Sequence, residues 1–348
     1  MNIRQFKSAF DPLFIADVQS RIASSSVFTT DEFIKSLLGH IEALAAEGKR
    51  FRPYAVMLAY QTETGEYAIP EKLLPLLICI EYFHIFALIH DDVMDKSMMR
   101  RGVPTLEKNT KDLLEANGRA GDLDHTALSQ AILIGDLVYT WAYANLFSFL
   151  NAHASTPKVT AYTLAMIEEL VVGQMLDVDM TTRKTSEVSL IEEKMKIKSG
   201  NYTFGRPMTI GALVAGSDTD FYERIGSELG SAFQIKDDLL DTRPSSETGK
   251  SAFSDIHARA YTLMTHHVES QADDEDKKFI QQMYGNVLSK DDENNIRAIF
   301  EKTGAFSFAE SEMEKHLHSA REMLNENPKT ASNPLWIELI ALIASRSN

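Results

Sequence analysis

Apolar residues recur at three- and four-residue spacing along most of the chain, the mark of amphipathic and buried helices. The pattern predicts helices over residues 31–47, 54–63, 71–96, 129–151, 160–180, 189–199, 204–215, 220–240, 255–270, 276–288, 291–302, 308–324 and 333–345. Alternating β-branched runs bounded by turns are absent from the sequence, so the chain reads as all-α. Breaks fall at 107–126, 151–158, 181–188, 216–219 and 242–254, and none resembles a linker between separate halves. A single domain over 1–348 is therefore expected. The Gly, Pro and Ser content of 242–254 reads as a mobile lid.

Two apolar segments run into carboxylates. His90-Asp91-Asp92-Val93-Met94-Asp95 and Asp237-Asp238-Leu239-Leu240-Asp241 each spell Asp-Asp-x-x-Asp, which stacks the first and third carboxylates one helical turn apart. Other acidic clusters, Asp273-Asp274-Glu275-Asp276 and Asp291-Asp292-Glu293, sit among Lys, Gln and Asn and read as solvated faces. Carboxylates at the end of a buried helix are costly unless paired or metal-bound. The simplest use for two such faces is to meet across a cavity and hold divalent cations between them.

Composition narrows the class. With 50 Asp+Glu against 35 Lys+Arg, the net charge of −15 excludes nonspecific binding to nucleic acid or anionic membrane. An anionic ligand must be held by local cations and metal. Cys79 is the one cysteine, so no intrachain disulfide forms and a reducing compartment fits. The N-terminus has no apolar leader, and no run reaches about 18 uncharged apolar residues, so the reading is cytoplasmic without a transmembrane segment.

Local cations are present. Gly48-Lys49-Arg50-Phe51-Arg52-Pro53 places Pro53 to begin a helix beside three positive charges, either an anion site or ordinary surface charge. Arg100-Arg101-Gly102 follows the first Asp motif, either as its salt-bridge partner or as a grip on a metal-bound polyphosphate.

These runs, followed by Gly135-Asp136, Gly173-Gln174 with Asp177, Lys198-Ser199-Gly200-Asn201-Tyr202, and Phe233-Gln234 before the second motif, resemble in order the trans-isoprenyl diphosphate synthases. The resemblance covers residues 48–255 and implies an all-helical bundle around a deep cavity, a homodimer, and about two or three Mg²⁺ ions per site. It implies head-to-tail condensation of an allylic diphosphate with isopentenyl diphosphate, releasing pyrophosphate. Asp91, Asp95 and Asp237 would be metal ligands, with Asp92, Asp238 and Asp241 as further ligands or partners of metal-bound water. Arg100, Lys198 and Lys250 would grip the allylic diphosphate; Lys49, Arg52, His84 and Arg101 would hold isopentenyl diphosphate. Ser199 and Gln234 would face the developing cation.

The sequence departs from the family pattern at Ser199, where Thr is usual, at Phe253, where the loop's second glycine is usual, and at Ala260, where a lysine is common. The expectation is that Arg259 substitutes for that lysine or that lid closure and the grip on the leaving group are weaker. Product length needs a steric floor, because each added isoprene unit gains roughly 4 kcal/mol on burial. By resemblance that floor is Phe86, with Ala87 one turn beneath Asp91 leaving room, and a single aromatic there points to a C20 product, with C15 next. A terpene cyclase would have no use for the cations of residues 48–53. A helical phosphohydrolase leaves the second motif unexplained, and a non-catalytic relative would be expected to lose carboxylates that are all present here.

Overall fold

Phe6, Phe10, Phe14 and Val18 begin the fold: all four are buried in one row of helix α1 (Ile3–Ser26), with successive rings 5.2 and 5.5 Å apart. The computed structural model describes every residue except 101–102, 154–156, 184–186, 244–251, 332 and 346–348. Helix α1 is a correction to the pattern above, which placed no helix there. Its stripe is one residue wide, and its start is fixed locally by a capping box between Asn2 and Gln5.

The order continues with α2 (Glu32–Ala46), α3 (Phe51–Thr64), α4 (Leu74–Met94), a hairpin of β1 (Met99–Arg100) and β2 (Val103–Pro104), α5 (Leu106–Ala116), α6 (Leu123–Ala152), α7 (Pro157–Met180) and α8 (Val188–Lys194). A π-helical segment, Met195–Gly205, leads into α9 (Arg206–Val214) and α10 (Asp220–Asp241), and shorter and longer helices follow to Ser345. Helix α5 lies inside a stretch read as a break: Thr105 caps it, and only Leu106, Thr110 and Leu114 are buried. The helix expected over 255–270 is two, Ser254–His257 and Leu263–Gln271.

The chain divides into two compact units, Met1–Gln61 with Gly65–Pro157, and Thr62–Thr64 with Lys158–Asn348. In the first, α4 packs along α6, which also carries α5, while α1 lies on α2. In the second, α10 is the central element, against the π-helical segment, α9 and the helix Ala305–Glu326. Among the described residues α4 and α7 are long and apolar enough to cross a membrane by length and composition. Both carry internal carboxylates, Glu81 in α4 and Glu168 and Glu169 in α7, and α4 is the buried core helix of its unit. Cys79 is buried within α4, where burial pushes its thiol up and leaves it inert.

Candidate active site

The first Asp motif forms the last turn of α4. Asp95 is its exposed C-cap, with its N–H donating to the Asp91 carbonyl at 2.8 Å. The chain then turns back through the hairpin, and Arg100 on β1 donates from Nε to both Asp92 oxygens at 2.8 and 2.9 Å. Its Nη2 reaches Asp92 at 2.7 Å and Asp91 at 3.4 Å. Burial opposes the Arg100 charge, but Asp92, Asp91 and Asp95 outweigh it and raise its pKa.

Beneath this turn the helices touch closely. A Cβ at Gly135 would lie 2.3 Å from the His90 ring, so the absence of a side chain lets His90 lie across α6 and bond the Ile132 carbonyl at 3.2 Å. Phe86 packs its ring between His90 (4.6 Å) and Tyr139 (4.7 Å), and Phe83 meets Tyr139 and Tyr143. Phe86 and Ala87 are both half-buried. Lys49, Arg52 and His84 are half-buried as well, in the same unit. Arg101 lies outside the described residues.

The second motif forms the last turn of α10. Asp238 is buried and accepts from Gln234 Nε2 at 2.7 Å; burial pushes its carboxyl up to about 7 against the pull of that bond. Asp237 is half-buried. Asp241 accepts from the Ser254 hydroxyl and from the Asp255 N–H at 3.0 Å, while its carbonyl receives the Phe253 N–H at 2.8 Å. Lys250 and most of the expected lid, 244–251, lie outside the described residues.

Lys198 and Ser199 sit on the π-helical segment, a geometry found often at functional sites. The segment crosses α10 with backbone nearly touching backbone: a Cβ on Gly230 would lie 2.3 Å from Gly200 Cα. Lys198 donates to Asp177 Oδ2 at 2.5 Å, and Lys194 to Asp177 Oδ1 at 2.9 Å and to the Tyr261 carbonyl at 2.8 Å. Burial alone would raise the Asp177 carboxyl; the two lysines outweigh it and hold it at about 2. Gly173, one turn before Asp177, leaves room for Lys198, whose Cβ would stand 2.9 Å from a side chain there.

The donor set fits a hard divalent cation, since Asp91, Asp95, Asp237 and Asp241, each exposed or half-buried, offer carboxylate oxygens at the two helix ends. Among the described residues no three His, Cys, Asp or Glu side chains converge as a ready-made cage. Sequence reasoning missed Lys194, whose signal was its position four residues before Lys198. It also left Arg50 without a role.

A model of the family described as polyprenyl synthetase matches residues 34–303. The chain is 28% identical to the geranylfarnesyl diphosphate synthase of Natronomonas pharaonis, over 87% of this chain and 88% of that one. It is 32% identical to the nonaprenyl diphosphate synthase of Mycobacterium tuberculosis, over 73% and 70%. Among solved structures, a geranylgeranyl pyrophosphate synthase from Corynebacterium glutamicum, complexed with isoprenyl diphosphate and magnesium, superposes with a TM-score of 0.87 at 25% identity, covering 97% of this chain and 98% of that one.

Proposed function

The chain belongs to the polyprenyl synthetase family and is a prenyltransferase of the all-α prenyl synthase fold, and from that premise we propose the reaction and the residues that perform it. An allylic diphosphate condenses head to tail with isopentenyl diphosphate, giving a trans-prenyl diphosphate and pyrophosphate. The observation that carries the reading is the presence of two Asp-rich helix ends together with two further cation sets, Lys49 with Arg52 and Arg100 with Lys198. A cyclase, which binds one diphosphate, leaves the first set without work.

In this reading the chain is one functional domain, and each Asp motif serves diphosphate binding. Asp91, Asp95 and Asp237 would hold Mg²⁺, which would supply Lewis-acid neutralisation of the leaving diphosphate. Arg100 and Lys198 take phosphate oxygens, Lys198 exchanging its bond to Asp177 for one to substrate. Lys49, Arg52 and His84 hold isopentenyl diphosphate, with Arg101 and Lys250 adding cations to the two sites. Ser199 and the Gln234 carbonyl oxygen turn toward the allylic carbon as positive charge develops there. The released pyrophosphate accepts the final proton. The working protein is a homodimer in the cytoplasm.

The relatives' names span several chain lengths, so product length rests on residues. Phe86, wedged between His90 and Tyr139, is the floor and the product is C20, with C15 next. Incubation with Mg²⁺, isopentenyl diphosphate and C5, C10 and C15 allylic diphosphates, read by mass, is expected to give C20. No elongation of any starter would sink the reading. Phe86→Ala is expected to lengthen the product by at least one unit, and an unchanged product would place the floor elsewhere.

A further inference from the structure

The three cations of residues 48–53 are not equivalent. Lys49 and Arg52 are half-buried, whereas the Arg50 side chain is 0% exposed. Its Nε donates to Asp11 Oδ1 at 2.8 Å, its Nη1 to Glu81 Oε1 at 2.7 Å and to the Glu47 carbonyl at 2.8 Å, and its Nη2 to the Ala45 carbonyl. The guanidinium also stands 5.1 Å from the centre of the Phe14 ring. Two carboxylates at hydrogen-bond distance cancel its charge locally, so Arg50 adds little to any anion site.

Its work is on the backbone. Arg50 sits in the left-handed region at φ 58°, at the N-cap of α3, and Gly48 sits at φ 127°, where a Cβ would come 2.8 Å from Arg50 Nη1. Lys7 on α1 donates to the Gly48 carbonyl at 2.7 Å and pairs with Asp11 at 3.1 Å. A turn strained in this way persists only where its surroundings over-determine it. Here the surroundings are one face of α1 and a buried glutamate of α4.

We infer that Lys7 and Asp11 of α1, with Glu81 of α4, are positioning residues that act through Arg50 and Gly48 to set Lys49 and Arg52 for isopentenyl diphosphate. The N-terminal helix thus serves the nucleophile's site as well as the core. The inference rests on the assignment of Lys49 and Arg52 to that substrate.

The test is steady-state kinetics on the full chain, with each diphosphate varied separately and the melting temperature recorded. The variants are Lys49→Ala, Asp11→Asn, Asp11→Glu, Lys7→Gln and, as a stability control buried in α1 away from the turn, Val18→Ala. Asp11→Asn and Lys7→Gln are expected to raise KM for isopentenyl diphosphate by about tenfold while the allylic KM stays within about twofold. Asp11→Glu is expected to recover most of that loss, and Val18→Ala to move neither KM. Equal rises in both KM values would overturn the inference, and so would the same rise in Val18→Ala. Lys7 is 40% exposed, so Lys7→Gln folds, and an unchanged KM in that variant also overturns it. Should Lys49→Ala leave KM for isopentenyl diphosphate unchanged, the parent assignment falls, a result distinct from failure of the α1 variants alone.

Discussion

At the end of α4, Arg100 returns within nine residues to clamp Asp92 and touch Asp91. At the end of α10, the returning residues are Ser254 and Asp255, which offer Asp241 a hydroxyl and a backbone N–H, while Asp238 has the Gln234 amide. Asp92 of the first motif is clamped by a guanidinium, while Asp238 of the second accepts from a neutral amide and is attracted by the charge of Lys194. The cations of the second unit, Lys194 and Lys198, rest on Asp177 instead. Arg100 pairs the buried carboxylate of α4, whereas burial outweighs Gln234 and Lys194 at the one of α10 and leaves its carboxyl raised, so a divalent cation has most to offer at α10.

Opposite effects of removing the two buried carboxylates test this most directly. Asp92→Ala leaves Arg100, 15% exposed, without its bidentate partner, and is expected to destabilise the protein by about 3 kcal/mol. Asp238→Asn keeps an acceptor for Gln234 and removes a buried charge, so the metal-free protein is expected to gain roughly 1 kcal/mol. Thermal unfolding in the presence of a chelator reads both. A loss of stability in Asp238→Asn equal to that in Asp92→Ala would erase the contrast.

Why one buried carboxylate meets a guanidinium and the other an amide was only partly legible beforehand. The helices α4 and α10 and both Asp motifs could be read because long apolar runs end abruptly in carboxylates. Helix α1 could not, since a single four-spaced row of Phe6, Phe10, Phe14 and Val18 gives a weak periodic signal, and α5 was hidden by Gly118 and Gly121 beyond its end. The three cations of residues 48–53 look alike in sequence. Which of them is buried depends on Asp11 and Glu81, 39 and 31 residues away. The π-helical turn carrying Lys198 depends on Gly200 meeting Gly230, a contact between segments with no local pattern.

Phe253 is where the sequence expectation and the structure differ in kind. Read as a missing glycine, it implies a poorer loop; in the structure it is 1% exposed, edge-on to Phe300 at 5.4 Å and under the Arg297 guanidinium at 5.3 Å. It nevertheless occupies the left-handed region, at φ 57°. A non-glycine residue there costs about 1 kcal/mol or more, while truncating a buried phenylalanine costs about 3 kcal/mol. Burial wins, so Phe253→Gly is expected to destabilise by roughly 2 kcal/mol. Phe253→Ala, which keeps the strain and loses the ring, is expected to be worse still. Denaturant unfolding that ranks alanine above glycine would show that the left-handed backbone at Phe253 costs little.

An effect of similar size concerns the two cations that rest on Asp177. Because Lys198 and Lys194 hold Asp177 at about 2, below the ordinary carboxylate value near 4, the folded state binds its proton less readily than the unfolded chain. Its contribution is therefore complete above about pH 4 and is lost as the pH falls through about 2. At pH 7 a shift of this size corresponds to about 2 kcal/mol, so Asp177→Asn is expected to unfold at lower urea by that amount at pH 7 and by well under 1 kcal/mol near pH 2. A gap independent of pH would mean that Asp177 acts through shape alone. A gap that closes on acidification shows that the lysines are held by charge, which diphosphate, carrying more charge than one carboxylate, is able to displace.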